Sequence, residues 1–177
     1  MSGSDSRVAY LGLGSNLGDR EANINKALVE LVRAGNCSLR KVSSLYETRP
    51  VGMEDQPQFL NIAVEVETGL APKQLLERIR EVERRVGREK TFKWGPRVID
   101  IDILLYDDLH VAEDNLEIPH PEMHQRGFVL TPLAEIAPTA KHPVLGRSIL
   151  ELSEAVGSEG VSKIASVNYG NPDPLGS

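Results

Sequence analysis

The stretch Trp94-Gly95-Pro96-Arg97-Val98-Ile99-Asp100-Ile101-Asp102-Ile103-Leu104-Leu105-Tyr106 joins an aromatic, basic loop to an apolar strand that carries two acids. Side chains alternate between the two faces of a strand, so the three isoleucines are expected to face a core. Asp100 and Asp102 then share the opposite face. Two neighbouring carboxylates repel each other, and a hard divalent cation such as Mg2+ with its oxygen ligands would hold both in the charged form.

A solvated strand edge is the simpler interpretation of this acid pair, because any amphipathic strand alternates apolar and polar residues. The residues just before the strand favour a reactive centre instead. A solvent-facing strand does not need a stiff turn that carries a large indole, Trp94, and a guanidinium, Arg97. We therefore interpret the stretch as the centre of a functional site.

Basic residues gather immediately before this stretch, where residues 78–97 hold eight of the chain's 20 lysines and arginines. A helix predicted from Pro72 to Gly87 accounts for half of them, since its own glutamates can pair with them on a solvated face. The other four flank the two acids, and cations beside a carboxylate-bound metal suit a polyphosphate. These four are Arg88, Lys90, Lys93 and Arg97.

The segment from Phe59 to Thr68 alternates at period two and predicts a strand with Leu60, Ile62, Val64 and Val66 on one face. Phe59 and Asn61 share the other face. An exposed aromatic ring beside an amide suits a flat heterocycle, which stacks on the ring and hydrogen-bonds to the amide. Ordinary packing is the alternative interpretation of this pair.

A third polar group follows the acids, at Pro119 to Phe128. His120 and His124 are four residues apart, but Pro121 permits only a short helical turn and the pattern is not H-E-x-x-H, which argues against zinc. His120 and Arg126 are better suited to hydrogen-bond phosphate. Phe128 would form a second aromatic wall.

Three glycines near the N-terminus follow a predicted strand, Val8 to Leu13, and precede a helix that Asp19 caps and Gly35 ends. Their spacing, at 12, 14 and 18, fits neither the dinucleotide-binding fingerprint nor the P-loop. We interpret them as a tight strand-to-helix turn that needs the backbone freedom of glycine.

Shorter elements complete the prediction. They are a strand at Ser38–Tyr46, a hairpin return at Leu109–Val111, a short apolar helix at 129–137, a last helix at Ser148–Val156 with Val156 facing inward, and a weaker strand pattern within 157–169.

The composition fits one globular domain, because 177 residues with 40% hydrophobic and 26% charged side chains are enough for a proper core. We expect this domain to span residues 7–156. Residues 1–6 and 157–177 are expected to be flexible terminal extensions.

The net charge of −6 argues against a nucleic-acid or anionic-membrane surface, since both prefer a basic face. The single cysteine, Cys37, cannot form an internal disulfide, which favours a reducing compartment. No apolar run reaches the length of a membrane span or forms a signal peptide. A cytoplasmic location is the resulting expectation.

Four motifs occur in order along the chain: Gly14–Asp19, Gln56–Asn61, Trp94–Asp102 and Pro119–Phe128. Together they resemble the 6-hydroxymethyl-7,8-dihydropterin pyrophosphokinase family of folate biosynthesis. The resemblance implies an α+β, ferredoxin-like α/β sandwich with a mainly antiparallel sheet and helices packed on it. It also implies transfer of pyrophosphate from ATP to the pterin hydroxymethyl group, with release of AMP.

The same resemblance implies roles for individual residues. Two Mg2+ ions would bind at Asp100 and Asp102, and Trp94 would seal the site as its loop closes. The catalytic group would be Arg88, Arg97, Asp100 and Asp102. The residues that contact ATP would be Arg80, Glu83, Arg88, Lys93, Trp94, Arg97, Ile103, His120 and Arg126. Those that hold the pterin would be Thr48, Val51, Phe59, Asn61, Trp94, Asp100 and Phe128.

The expected partners are ATP and 6-hydroxymethyl-7,8-dihydropterin, without nucleic acid or membrane. A monomer is expected, and a dimer stays open. The alternative function is a non-catalytic, ferredoxin-like module that binds a nucleotide or another ligand. In that case the glycines, the acids and the basic helix are structural.

Overall fold

The computed structural model describes residues 6–48, 58–87 and 98–166. Within these ranges its four α-helices are α1 (Arg20–Arg33), α2 (Pro72–Val86), α3 (Gly127–Ile136) and α4 (Ile149–Val156). Its strands are β1 (Arg7–Ser15), β2 (Cys37–Val42), β3 (Leu45–Thr48), β4 (Phe59–Thr68), β5 (Asp100–Tyr106), β6 (Val111–Glu113), β7 (Leu116–Ile118) and β8 (Val161–Ala165).

Six strands form the main sheet, in the order β5-β1-β4-β3-β8, with β2 also paired to β4. All of these pairings are antiparallel. β6 and β7 form a separate two-stranded sheet. In this order β1 lies between β4 and β5, so the predicted aromatic–amide strand and the acid strand are two positions apart in one sheet.

Helices cover both faces of the sheet. The apolar residues of α1 and α2 share one core with Leu60, Ile62, Val64 and Val66 of β4, as the alternation predicts. The opposite face of β4 contributes Ala63 to a second core, which contains the apolar residues of α3 and α4. Burial on both faces holds β4 at the centre of the fold.

The first two helices begin and end where the sequence predicts. The Asp19 carboxylate accepts a hydrogen bond from the N–H of Ala22 at 3.1 Å, a cap worth about 1 kcal/mol. Gly35 and Gly87 follow α1 and α2 with φ angles of 84° and 109°, a left-handed conformation that glycine adopts without strain. Pro72 is the first residue of α2.

The prediction of one strand at Ser38–Tyr46 is wrong, because the chain breaks at two serines between β2 and β3. The hydroxyl of Ser43 accepts from the N–H of Ala63 at 2.9 Å. Ser44 donates to the Glu135 carboxylate from its N–H, at 3.0 Å, and from its hydroxyl, at 2.8 Å. At the break between β2 and β3, these bonds to α3 and β4 stand in for regular strand-to-strand hydrogen bonds.

Two smaller predictions are also wrong. Leu109–Val111 does not return along β5, because Val111 pairs with Ile118 in the second sheet. Val156 is 41% exposed and does not face inward. The weaker strand pattern within 157–169 is confirmed by β8, which pairs with β3 and lies beyond the domain boundary expected at residue 156.

β5 contains a bulge that changes which face its side chains occupy. Leu11 of β1 lies opposite Ile103, and its neighbour Tyr10 lies opposite Leu105, so Leu104 is the extra residue. Leu104 and Leu105 both join the α3–α4 core. The Leu104 carbonyl oxygen accepts from the N–H of His120 at 3.0 Å, which fixes His120 beside the acid strand.

Within the three described ranges, the structure contains no helix that is both long enough and apolar enough to cross a membrane.

Candidate active site

One row of residues crosses the sheet and brings the two predicted halves of the site together. Asp100 of β5 lies opposite Gly14 of β1, which lies opposite Asn61 of β4. In the next row on the same face of the sheet, Asp102 lies opposite Gly12. Strands are about 4.8 Å apart, so the Cα atoms of Asp100 and Asn61 are separated by roughly 10 Å. The row therefore places a carboxylate and an amide on the same face with a glycine between them.

The glycine in this row leaves space that a side chain would fill. A Cβ atom added to Gly14 would lie 3.3 Å from Asn61 Nδ2 and 3.4 Å from Phe59 Cδ1. Gly12 and Gly14 are inside β1, and only Gly18 has a positive φ angle, of 73°. The interpretation as a tight turn is thus wrong for the first two glycines, which allow a close approach to the sheet.

The amide and aromatic ring on β4 are more enclosed than predicted. Asn61 is buried and Phe59 is half-buried, so the aromatic ring is not fully exposed. The hydroxyl of Thr48, itself 2% exposed, donates to Asn61 Oδ1 at 3.1 Å. Because Oδ1 accepts this bond, Nδ2 is the amide atom that points toward Gly14. The amide is held in one orientation before any ligand binds.

The two aspartates are half-buried and stand on either side of Ile101, whose side chain is in the α1–α2 core. The N–H of Ile101 donates to Glu83 Oε2 at 3.0 Å. Glu83 is a residue of α2 and is only 5% exposed. Among the described strands β5 lies at the edge of the sheet, and this carboxylate satisfies a backbone N–H on the side away from β1. The end of α2 is thereby joined to the strand between the two acids.

A cavity of about 270 Å³ opens beside Asp102, between α2, β5 and the β6–β7 sheet. Ile103 and His120, both predicted to contact ATP, line it together with Leu76 of α2. The turn residues Asp114 and Asn115 also line it. Sequence reasoning missed the β6–β7 turn, although its Asp-Asn pair between two short apolar strands is a recognisable turn signal.

His120 has one ring nitrogen committed within the protein. Its Nδ1 accepts from the N–H of Glu122 at 3.1 Å, so the neutral ring carries its proton on Nε2. Burial lowers the pKa of His120, and the nearby Arg126 guanidinium lowers it further. A neutral imidazole with its proton on Nε2 is a suitable hydrogen-bond donor to a phosphate oxygen.

Arg126 and Phe128 lie together at the start of α3. The Arg126 guanidinium forms an ion pair with Glu122, and its carbon lies 5.5 Å from the centre of the Phe128 ring. Both side chains are half-buried. In this arrangement Arg126 covers the aromatic face that was predicted to contact the pterin.

Residues 10–138 match the family model described as 7,8-dihydro-6-hydroxymethylpterin-pyrophosphokinase (HPPK). The chain belongs to this family. A relative from Bacillus subtilis named 2-amino-4-hydroxy-6-hydroxymethyldihydropteridine pyrophosphokinase is 50% identical over 129 residues, or 73% of this chain and 77% of the relative. A relative of the same name from Aquifex aeolicus is 45% identical over 144 residues, or 81% and 89%.

A crystal structure of Plasmodium falciparum HPPK-DHPS shares the fold, with a TM-score of 0.68 at 18% sequence identity. The match covers 85% of this chain and 44% of that one, so this chain spans less than half the length of the solved protein. Together with the antiparallel sheet and its packed helices, this likeness confirms the predicted ferredoxin-like α+β fold.

The other residues that the HPPK resemblance assigned to ATP or the pterin lie in different places. Arg80 is exposed on α2, one turn beyond Leu76. Glu83 is buried, and its described bond is to the backbone of Ile101. Five residues lie outside the described residues: Val51, Arg88, Lys93, Trp94 and Arg97.

The donor set of the HPPK site fits a magnesium ion in one respect, since two carboxylates project from the same face of β5. In the part of the chain that the structure describes, no three or more His, Cys, Asp or Glu side chains are grouped to hold a metal. Mg2+ commonly binds through one or two carboxylates, with substrate phosphates and water completing its shell. Asp100 and Asp102 suit that kind of binding.

Proposed function

We propose that the chain transfers the pyrophosphoryl group of ATP to the hydroxymethyl oxygen of 6-hydroxymethyl-7,8-dihydropterin. In this reaction the hydroxymethyl oxygen gives up its proton to solvent and forms a bond to the β-phosphorus. The bond from that phosphorus to the bridging α,β-oxygen breaks, and AMP leaves. Membership of the HPPK family supports the activity. The row Asp100–Gly14–Asn61 is the observation that carries the proposal. Its amide suits the edge of a flat ring, and its carboxylate, on the same face of the sheet, suits a metal ion with bound phosphates.

The pterin is proposed to lie over Gly14, against Phe59. Asn61 Nδ2, oriented by Thr48, would donate a hydrogen bond to the ring edge. A ring in this position has its substituent near Asp100, two strands from Asn61. Phe128 would supply the second aromatic wall once Arg126 leaves its ring. Val51 and Trp94 complete the proposed pterin set.

The nucleotide is proposed to occupy the cavity beside Asp102. Ile103 would contact the apolar part of the nucleotide, and the Nε2–H of His120 would donate to a phosphate oxygen. Arg126 would pair with phosphate in place of Glu122. The remaining predictions for the same nucleotide are Arg80, Glu83, Arg88, Lys93, Trp94 and Arg97.

Asp100 and Asp102 are proposed to hold two Mg2+ ions. When bound, these ions would offset the charge of the triphosphate and lower the pKa of the attacking hydroxyl. The chain's own contribution is to orient the reactants: β5 aligns the two carboxylates, and Glu83 holds the backbone between them. Most of the rate enhancement in phosphoryl transfer comes from such positioning and charge stabilisation.

The product of the reaction tests this proposal. Folded protein incubated with ATP, Mg2+ and 6-hydroxymethyl-7,8-dihydropterin should form AMP and the pterin diphosphate in equal amounts. Omission of the pterin should stop AMP formation. ADP as the sole nucleotide product would indicate transfer of a single phosphoryl group, and absence of turnover by folded protein would favour the non-catalytic binding module.

The expected domain, residues 7–156, and the expected monomer are also proposals. The pairing of β8 with β3 supports an extension of the domain to Ala165.

A further inference from the structure

The side chain of Arg20 connects three separate parts of the chain at the end of the sheet where Phe59 lies. Its Nη1 atom lies 2.8 Å from Glu47 Oε2, on β3. The same nitrogen donates to the carbonyl oxygen of Gln58, just before β4, at 2.8 Å. Arg20 itself is the first residue of α1. One guanidinium thus joins the start of α1 to the end of β3 and the start of β4.

Helix energetics do not explain an arginine at this position. The N-terminus of a helix is the positive end of its dipole, so a cation in the first turn is disfavoured. The neighbouring residues Asp19 and Glu21 have the charge that a helix start prefers. A residue that opposes local preference is typically retained for its tertiary contacts.

The ion pair is also a weak contributor to the fold. The side chains of Arg20 and Glu47 are 29% and 32% exposed, and solvent screens such a pair. An ion pair this exposed adds little to the free energy of unfolding. Removal of Arg20 should therefore leave the protein folded. Its effect on the positions of nearby side chains can then be measured separately from its effect on stability.

Both partners of Arg20 immediately precede residues of the proposed pterin site. Glu47 precedes Thr48, and Gln58 precedes Phe59, which lies directly opposite Thr48 in the β3–β4 ladder. Thr48 in turn donates to Asn61. The two bonds of Arg20 fix the last rung of this ladder, from which the aromatic ring and the amide-orienting hydroxyl project.

We propose that Arg20 is a positioning residue that holds Thr48 and Phe59 in place for the pterin ring without contacting the ring itself. This inference rests on the proposed function. It predicts an effect confined to the pterin half of the site, because the two described bonds of Arg20 go to Glu47 on β3 and to Gln58 before β4, whereas β5 lies on the other side of β1.

The test is an Arg20→Gln substitution with separate binding measurements for the two substrates. The dissociation constant of a non-hydrolysable ATP analogue with Mg2+ is measured first, and that of the pterin is then measured with the analogue saturating. We expect pterin binding to weaken by about tenfold, which is about 1.4 kcal/mol, and nucleotide binding to change by less than about twofold. The melting temperature should move by only a few degrees.

Arg33→Gln is the matched control, because Arg33 ends the same helix and forms an exposed ion pair with Glu30 at 3.0 Å. This variant should bind both substrates as the unmodified protein does. Unchanged pterin binding in Arg20→Gln, or an equal loss for both substrates, would overturn the inference.

A double-mutant cycle with Glu47→Gln adds a second readout. If the two residues act as one unit, the double variant should lose no more pterin affinity than Arg20→Gln alone. Additive losses would overturn the inference. The proposed function is tested separately, by AMP formation in the unmodified protein. If the unmodified protein forms AMP and Arg20→Gln binds the pterin unchanged, only the positioning role is refuted. If the folded, unmodified protein forms no AMP, the proposed function is refuted.

Discussion

The two halves of the site lie on either side of β1, and they differ in how they are held. On the β4 side, Asn61 is buried and its amide is fixed by the Thr48 hydroxyl. On the β5 side, Asp100 and Asp102 are half-buried on an edge strand that borders an open cavity. The Asn61 amide is therefore oriented before a ligand binds. The two aspartates lie on a backbone that Glu83 holds in place, and Asp102 borders a cavity that a ligand can enter.

This difference follows from what each half is proposed to bind. A flat heterocycle is distinguished by its pattern of donors and acceptors, so a preset amide improves affinity by reducing the cost of ordering. A metal-bound triphosphate brings its own charge and its own ligands, so an open site with a firm backbone is sufficient. Substitutions in one half should therefore affect one substrate selectively.

The acid half should give the largest effect. Asp100→Asn keeps the shape of the side chain and removes its charge, so turnover should fall by about 10³-fold or more, or about 4 kcal/mol in the activation barrier. Mg2+-dependent nucleotide binding should weaken as well. Asp108→Asn, an exposed acid after the same strand, is the control and should keep full activity. Intact nucleotide binding in Asp100→Asn would favour a non-catalytic module.

The boundary between the halves can be tested at Gly14. Gly14→Ala places a Cβ atom 3.3 Å from Asn61 Nδ2, in the space proposed for the ring. Pterin binding should weaken by about tenfold, or about 1.4 kcal/mol, and nucleotide binding should stay the same. Gly69→Ala is the control, since a Cβ there has no atom within 4 Å. Equal losses for both substrates would contradict the division into halves.

The preset orientation of the amide depends on Thr48. Thr48→Val removes the hydroxyl donor with little change in shape and leaves Asn61 Oδ1 without this bond in the interior. Pterin affinity should fall about fivefold, and urea denaturation should show a loss of about 1 kcal/mol. Thr139→Val, at an exposed turn, is the control and should change neither the pterin affinity nor the stability in urea. Unchanged pterin affinity would show that the amide does not need orienting.

Substitution of Glu135 on α3 should have the smallest effect on the site, because Glu135 accepts hydrogen bonds from Ser44 and Tyr46 and contacts neither proposed substrate. Burial raises the pKa of Glu135, but hydrogen bonds from Ser44 and Tyr46 outweigh it, and the pKa falls below its usual 4.5. A lowered folded-state pKa gives stability that is present above pH 4.5 and lost as the pH falls through the folded-state value. The stability difference between the unmodified protein and Glu135→Gln should therefore shrink on acidification.

Urea denaturation at a series of pH values from 7 downward measures this difference. Glu154→Gln, an exposed acid on α4, serves as the control. A difference that stays constant with pH would contradict the role assigned to the Glu135 carboxylate.

Regular periodicity made much of the fold predictable. β4 and α2 were predicted with their observed ends because both have continuous apolar patterns bounded by glycine or proline. The break in Ser38–Tyr46 was not predictable, because it depends on Ser44 reaching Glu135, 91 residues later. Leu109–Val111 was misassigned because nearness in sequence suggested pairing with β5, whereas β7 supplies the partner.

The site was predictable by residue type but not by arrangement. Alternation alone placed Asp100 and Asp102 on one face. The cross-strand register that puts Gly14 between Asp100 and Asn61 depends on how three distant segments align, which local patterns do not encode. For the same reason Gly14 was assigned to a turn, and the contacts of Arg20 with Glu47 and Gln58 were not foreseen.

A crystal structure with Mg2+, a non-hydrolysable ATP analogue and the pterin tests the central claim most directly. We expect the pterin ring over Gly14 with Asn61 at its edge, the metal ions on Asp100 and Asp102, and the nucleotide in the cavity beside Asp102. A pterin bound away from β1 and β4, or metal ions that contact neither aspartate, would contradict this claim.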